Sequence, residues 1–323
     1  MPTSRPVLSA NRVDNDVVSV TDWNRDGLQA AFYIDEVMHG NNPDKIPPSA
    51  ITGQAGTWPN ILVNGGFENW QRGNGPFTSG YTADRWGLTL SASTITISRA
   101  AAQDTGSGSQ YQATGTYTHV AAGFAIIFQN VENFAEYRGR TVRFFARVLT
   151  SINGAAFIRI SDSSGATDSS ATGNNVLTTL NVSRTIASNA TLLQLAIIIN
   201  TGTNNFIIDN CYATIGPVAP TSFQARAKAE EDLRCARYYQ VVHPTARFRS
   251  SAANEFHDIN VVFPAVMPGA PTVTRTAGSM SNVAGTPATA NVTTQGLRYE
   301  VQANLTGNDT FETNGKLTLE YNP

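Results

Sequence analysis

The chain is short of charge, cysteine and long apolar runs. Of 323 residues only 14% are charged, against about 25% in an ordinary soluble domain, and the net charge is −2. A face that grips phosphate needs clustered Lys and Arg, so nucleic acid is not an expected partner. Ser, Thr, Asn and Gly take the place of the charges, which suits a surface that meets water and sugars. No apolar stretch approaches the roughly 20 residues of a membrane helix, so membrane insertion is not expected. The opening residues MPTSRPVLSANRVDND lack the apolar centre of a secretory signal, and the two cysteines, Cys211 and Cys235, fit assembly in a reducing cytoplasm. The four histidines (39, 119, 243, 257) have no metal spacing and no cysteine partner. No nucleophile elbow, phosphate loop, zinc pattern or internal repeat is present.

What remains falls into four stretches. Residues 1–59 read as an extended arm. One short apolar segment, LQAAFYIDEVMHG, is followed by Pro43, Pro47 and Pro48, which favour an extended path. So little apolar material cannot bury itself, and the arm is expected to pack on another protein. From 60 to 220 the period becomes two: Ile95 and Ile97 share a face in STITIS, Phe124, Ile126 and Phe128 in GFAIIFQ, and Val142, Phe144, Ala146 and Val148 in RTVRFFARVL. AAFIRI, LLQLAIIIN and NNFIIDNCYATI continue the pattern, with a polar loop at 161–175. Short strands separated by polar turns predict an all-β fold, an antiparallel β-sandwich or jelly roll. Residues 221–240 predict a connecting helix with Ser222 as N-cap, a stripe through Phe223, Ala227 and Leu233, and Glu230, Glu231 and Asp232 on a wet face. Alternation returns in DINVVF, PTVTRT, ANVTT, LRYEVQANL and KLTLEY, a smaller C-terminal β domain over 241–323.

One stretch concentrates aromatics and tight-turn residues: NGGFENWQRGNGPFTSGYTADRW, Asn64 to Trp86. An active site, a sugar-binding face and a folding clasp each explain it. As a sugar site it offers Trp70, Tyr81 and Trp86 for stacking, with Gln71 and Arg72 to bond hydroxyls. As a clasp, Gly65, Gly66 and Gly73 allow turns, Trp70 and Trp86 anchor the core, and Asp84 with Arg85 fixes the loop before Trp86. Asp84 and Glu68 as an acid–base pair is the weaker account, and no catalytic residue is assigned.

LVNGGFE, WQRG and YTADRW resemble the start of a β-sandwich module of phage tail-fibre and other virion surface proteins. The resemblance extends to Cys235-Ala-Arg-Tyr-Tyr, similar to a C-x-RYY helix in those proteins, and to Phe263-Pro-Ala-Val-Met267 with Pro271-Thr-Val-Thr274. It covers roughly residues 61–275, and departs from the pattern at Pro268, where Arg is usual after Met. It implies a non-enzymatic virion protein: a short tail fibre or receptor-binding protein, attached to other virion proteins through 1–59, assembled in the host cytoplasm, with β domains turned to host-surface glycans. A homotrimer is implied as well. A head-decoration or head-fibre protein, and a free carbohydrate-binding module, remain the alternatives. LVNGGFE is also similar to the first strand of jelly-roll carbohydrate-binding modules, where this Glu and an Asp of the last strand hold structural calcium. The matching positions are Glu68 and Asp209, so a structural calcium ion is implied there, with no other cofactor required.

Overall fold

The computed structural model describes residues 60–323 apart from 104–105, 107, 173–174, 217–222, 224, 250–251, 285, 305–308, 314–315 and 322–323. The chain divides into units 1–56 and 57–323, and every described residue belongs to the second. The expected arm, 1–59, and the expected N-cap Ser222 lie outside the described residues.

The alternating segments pair into two antiparallel sheets. The six-stranded sheet runs in the order β1 (Gly80–Tyr81), β2 (Gly87–Ser91), β5 (Phe124–Asn130), β10 (Leu193–Ile199), β7 (Ala156–Asp162), β8 (Gly165–Asp168). The five-stranded sheet runs β3 (Thr94–Ala101), β4 (Tyr111–Thr118), β11 (Asn204–Ile215), β6 (Thr141–Thr150), β9 (Thr178–Thr185). Neighbours far apart in sequence alternate between the sheets, giving a jelly-roll sandwich. Its core takes Ile95 and Ile97 from β3, Val142, Phe144, Ala146 and Val148 from β6, and Leu193, Leu195, Ile197 and Ile199 from β10. Each such side chain contributes about 1.5–3 kcal/mol by leaving water.

β5 is inverted relative to the natural reading of GFAIIFQ. Ala125 and Ile127 join the core, while Phe124, Ile126 and Phe128 turn to the outer face. Gln129 fixes that choice. Facing inward and buried, its amide accepts from Val63 N (2.8 Å) and donates to Val63 O (2.8 Å). Strand parity then sends Phe128 outward. The polar loop at 161–175 contains the edge strand β8, and Asp162 closes its turn by accepting from Ser164 N at 2.8 Å.

The helix, α1 (Lys228–Ala236), is shorter than its propensity suggests. Ala227 is its N-cap and Phe223 precedes it. Leu233, expected in the buried stripe, is 57% exposed, whereas Glu231 and Cys235 are buried. After one turn the chain enters β12 (Tyr239–Val242), because Tyr239 and Gln240 pair with Glu320 and Leu319 of β20 (Lys316–Glu320). The C-terminal β domain has three small antiparallel sheets: β12 with β20 and β15 (Thr272–Thr276); β13 (Ala246–Arg249) with β19 (Asp309–Thr313) and β16 (Ser279–Ser281); β14 (Phe256–Val262) with β18 (Gly296–Gln302) and β17 (Ala288–Ala290). They surround Phe263, Met267, Leu297, Tyr299, Val301, Leu317 and Leu319. Of the expected strand ANVTT, only Ala290 is in β17.

Candidate functional site

The Asn64–Trp86 stretch begins with a close approach. Gly65 O accepts from Cys211 N at 2.8 Å, and a Cβ on Gly65 would meet Cys211 O at 2.0 Å. Only glycine lets the chain lie this flat against β11. Asn64, at φ 57°, is the hub. Its side chain donates to Asn69 O (2.8 Å) and Asp84 O (3.1 Å) and accepts from Asn69 N (2.9 Å). Its carbonyl accepts the indole N–H of Trp86 at 2.9 Å. Trp86 is fully buried, stacked on Phe67 with centroids 5.0 Å apart. Trp70 is also buried, donates to Phe67 O at 2.6 Å and stacks on Phe77. Neither indole is offered to a ligand, which corrects the stacking roles weighed for Trp70 and Trp86.

The expected ligand-bonding residues serve the fold too. The Arg72 guanidinium lies over the rings of Tyr81 (5.1 Å) and Tyr239 (4.1 Å). It pairs with Asp84 (3.4 Å) and with Glu320 of β20 (2.7 Å). Tyr81 is therefore covered by Arg72, and Gln71, though exposed, donates its backbone N–H to Asp84 Oδ1 at 3.2 Å. Asp84 and Arg85 are not partners of each other. Burial pushes the Asp84 carboxyl up, opposed by Arg72. Arg85 instead stacks on Tyr238 (3.8 Å) and donates to Asn130 O at 2.5 Å.

α1 completes the lock. Glu231, expected on a wet face, accepts from Asn64 N at 2.5 Å. The Cys235 thiol accepts from Asn69 Nδ2 at 3.3 Å, and burial holds its pKa well above the usual thiol value. Lys228 Nζ donates to Asn69 Oδ1 at 3.1 Å. Tyr238 donates its hydroxyl to Glu132, which also takes Arg237 at 2.7 Å, and burial pushes the phenol up to about 12. The sequence stretches NGGFENWQRG, YTADRW and CARYY thus meet in one interlock that joins the jelly roll to α1 and β20.

Glu68 and Asp209 are brought near each other. Glu68 Oε1 accepts from Gln110 N (2.6 Å) and Tyr111 N (3.3 Å). Asp209 is fully buried beside a bulge in β11; its Oδ1 accepts from Asn210 N at 2.7 Å, and its Oδ2 is buried with no hydrogen-bond partner. Burial, with the Glu68 charge adding, raises its carboxyl to about 7. An orphaned oxygen beside a second carboxylate fits a hard divalent cation. Among the described residues no group of three or more His, Cys, Asp or Glu is arranged to hold a metal.

The outer face of the six-stranded sheet was not singled out by sequence. Phe128, Ile126 and Phe124 of β5 lie beside Ala196 and Ile198 of β10, and Ile198 faces Phe157 of β7. The Phe128 ring covers Gly87, where a Cβ would meet it at 2.8 Å. Thr89 and an ion pair between Arg159 and Asp168 (2.6 Å) border the stripe. Spacings within sheets make it about 14 Å by 14 Å. An outward face of an antiparallel sheet is ordinarily polar, so this stripe is unusual, although Ala196 and Ile198 within it are buried and Phe124, Ile126, Phe128 and Phe157 are half-buried. The only signal in the sequence was that both faces of FAIIF are apolar.

No family model matches the chain, and no curated protein matches it. Its likenesses are to solved structures. The enzymatically active domain of tailspike protein 4 of bacteriophage CBA120 matches with a TM-score of 0.36 at 14% identity, over 49% of this chain and 21% of the tailspike chain. The CBM22-1 xylan-binding domain of Paenibacillus barcinonensis Xyn10C matches with a TM-score of 0.34 at 11% identity, over 50% of this chain and 96% of that one. The C-terminal family 22 carbohydrate-binding module of Clostridium thermocellum Xyn10B matches at 0.31 and 16%, over 47% and 99%. At these scores the likenesses assign no function. Among the described residues no helix is long and apolar enough to cross a membrane.

Proposed function

We propose that the chain is a virion structural protein of a phage, a short tail fibre or receptor-binding protein that presents its jelly roll to host-surface glycans. The observation that carries this reading is the set of half-buried rings on the outer face of the six-stranded sheet, Phe124, Phe128 and Phe157, bordered by Thr89, Arg159 and Asp168. Flat rings such as Phe128 and Phe157 suit the apolar face of a sugar, and the polar border suits its hydroxyls. The role is binding, not catalysis: the carboxylates of the interlock, Asp84, Glu132 and Glu231, are engaged by Arg72, Arg237, Tyr238 and backbone N–H groups. The interlock supports a projecting part, since it ties jelly roll, α1 and β20 into one piece. Attachment to the particle falls to residues 1–59, in a homotrimer, and Glu68 with Asp209 would hold a calcium ion that neutralises their charge.

Two measurements test this. Immunogold labelling of intact particles with antibody to the C-terminal domain is expected to mark tail tips or fibres. Label over the capsid would favour the head-decoration alternative, and unlabelled particles would refute a virion role. An array of bacterial surface polysaccharides is expected to yield a bound glycan whose affinity falls at least tenfold in Phe128→Ala and Phe157→Ala. Unchanged affinity in both variants would remove the stripe as the binding face.

A further inference from the structure

On the other side of the interlock, a cleft of about 170 Å³ opens between Val63, the loop after β5 and the second half of α1, lined by Arg85, Arg234 and Arg237 with Glu132 and Glu136. We propose that this cleft is a subsite for a sugar acid, a hexuronic acid residue of a surface polysaccharide, its carboxylate held by Arg85 and Arg234. The choice of a sugar rests on the glycan reading above; the choice of an anion does not.

Arg85 is the observation on which the proposal stands. It is 4% exposed, and its Nε is buried with no hydrogen-bond partner. It has a ring face on Tyr238 and one bond to Asn130 O. The acid that lines the same cleft, Glu132, is taken by Arg237 and by the Tyr238 hydroxyl. A buried guanidinium whose neighbouring carboxylate, Glu132, is shared with Arg237 and Tyr238 is costly to maintain, and an incoming anion relieves it. Arg234 adds a second cation: its Nη1 is 3.4 Å from Leu62 O, a long bond, and the charges of Glu231 and Glu230 act on it from α1. Burial lowers the pKa of both guanidinium groups, so each gains from a negative partner. With Arg237 spent on Glu132, the remaining charges are two cations against Glu136 at the rim. The planar fork of Arg matches a carboxylate in two parallel bonds. The volume equals about five or six water molecules, the space of one sugar ring.

The test is calorimetric titration of the full chain with glucuronate, glucose and acetate. Saturable millimolar binding of glucuronate is expected, with glucose silent and acetate at least tenfold weaker. Arg234→Gln is expected to weaken glucuronate at least tenfold, the loss of a charge-assisted bond. Arg234→Lys, which keeps the charge and loses the fork, is expected to fall between, at an unchanged melting temperature. No saturable binding to the folded wild type, or equal affinity in Arg234→Gln, overturns the subsite. Acetate binding as tightly as glucuronate overturns the sugar assignment. Phe128→Ala is expected to leave glucuronate binding unchanged, so failure here and failure of the outer stripe are read separately.

Discussion

Replacing Arg72 by Met keeps most of the side-chain volume and removes the charge at the centre of the interlock. Asp84, 1% exposed, then keeps only the Gln71 N–H on Oδ1, with Oδ2 already unpartnered. Stranding a buried charge costs about 3–5 kcal/mol, and the long 3.4 Å pair places this case near 3. Loss of the cation over Tyr239 at 4.1 Å adds about 1 kcal/mol. The link to Glu320, whose side chain is 31% exposed, adds about 0.5 kcal/mol. The expected total is about 4–5 kcal/mol. Urea unfolding should be followed with two probes. Of the four Trp, Trp70 and Trp86 sit in the jelly-roll core, so with Trp23 and Trp58 replaced by Phe in every variant the fluorescence reports the jelly roll, while far-ultraviolet dichroism reports both regions. The wild type is expected to give coincident curves; in Arg72→Met the dichroism curve should lead as the C-terminal sheets unfold first. Adding Asp84→Asn should return at least about 2 kcal/mol, because the stranded charge is gone. A loss below about 1 kcal/mol with coincident curves would refute the interlock as the coupling between the two regions.

The close approach at Gly65 predicts that Gly65→Ala costs at least about 3 kcal/mol, read by chemical denaturation, since backbone must move to clear Cys211 O at 2.0 Å. Gly73→Ala, at φ 109° with nothing within 4 Å, should cost only about 1 kcal/mol; equal losses would mean that backbone conformation and not the approach decides. Asp209 predicts a pH effect. Its folded carboxyl is raised to about 7 from 3.8, so its contribution is fully present below 3.8 and is lost as pH rises through about 7, by at most about 4 kcal/mol. Asp209→Asn should flatten melting temperature against pH over that window, and a wild-type profile that rises instead would sink the assignment. Millimolar calcium at pH 8 should raise the wild-type melting temperature, and chelator should reverse it. Absence of both effects removes the cation from Glu68 and Asp209.

Strand positions were legible where the two faces of a strand differ. In β6, Val142, Phe144, Ala146 and Val148 alternate with Arg143 and Arg147, and the apolar set is buried. β5 defeats that logic because Phe124, Ile126 and Phe128 are as apolar as Ala125 and Ile127; the deciding contact, Gln129 to Val63, spans 66 residues and leaves no local trace. Strands rich in Thr, Ser and Gly, such as β4 and β9, lack apolar contrast and pass for loops. At the clasp, the crowding of Gly with Trp announced tight turns over buried rings. The partners did not follow from adjacency. Arg85 sits at φ 72°, and its side chain leaves toward Tyr238 while Asp84 turns to Arg72. Helical propensity from Phe223 to Gln240 overshot at both ends, since Tyr239 and Gln240 gain more from pairing with β20 than from another helical turn.

The low charge of the chain takes on meaning at the interlock. Arg72, Asp84, Arg85, Glu132, Glu231, Arg234 and Arg237 come from distant parts of a sequence that is only 14% charged, yet they gather at one junction. Ion pairs on an exposed surface are screened by salt and contribute little. At a junction shielded by Tyr81, Tyr238 and Tyr239, the same charges are screened less and fix direction as well as distance. An apolar seam would hold jelly roll and C-terminal sheets together and still let them slide. Arg72, set between the rings of Tyr81 and Tyr239 and the carboxylates of Asp84 and Glu320, fixes the register. That register is where a chain poor in charge places a large part of its buried charge.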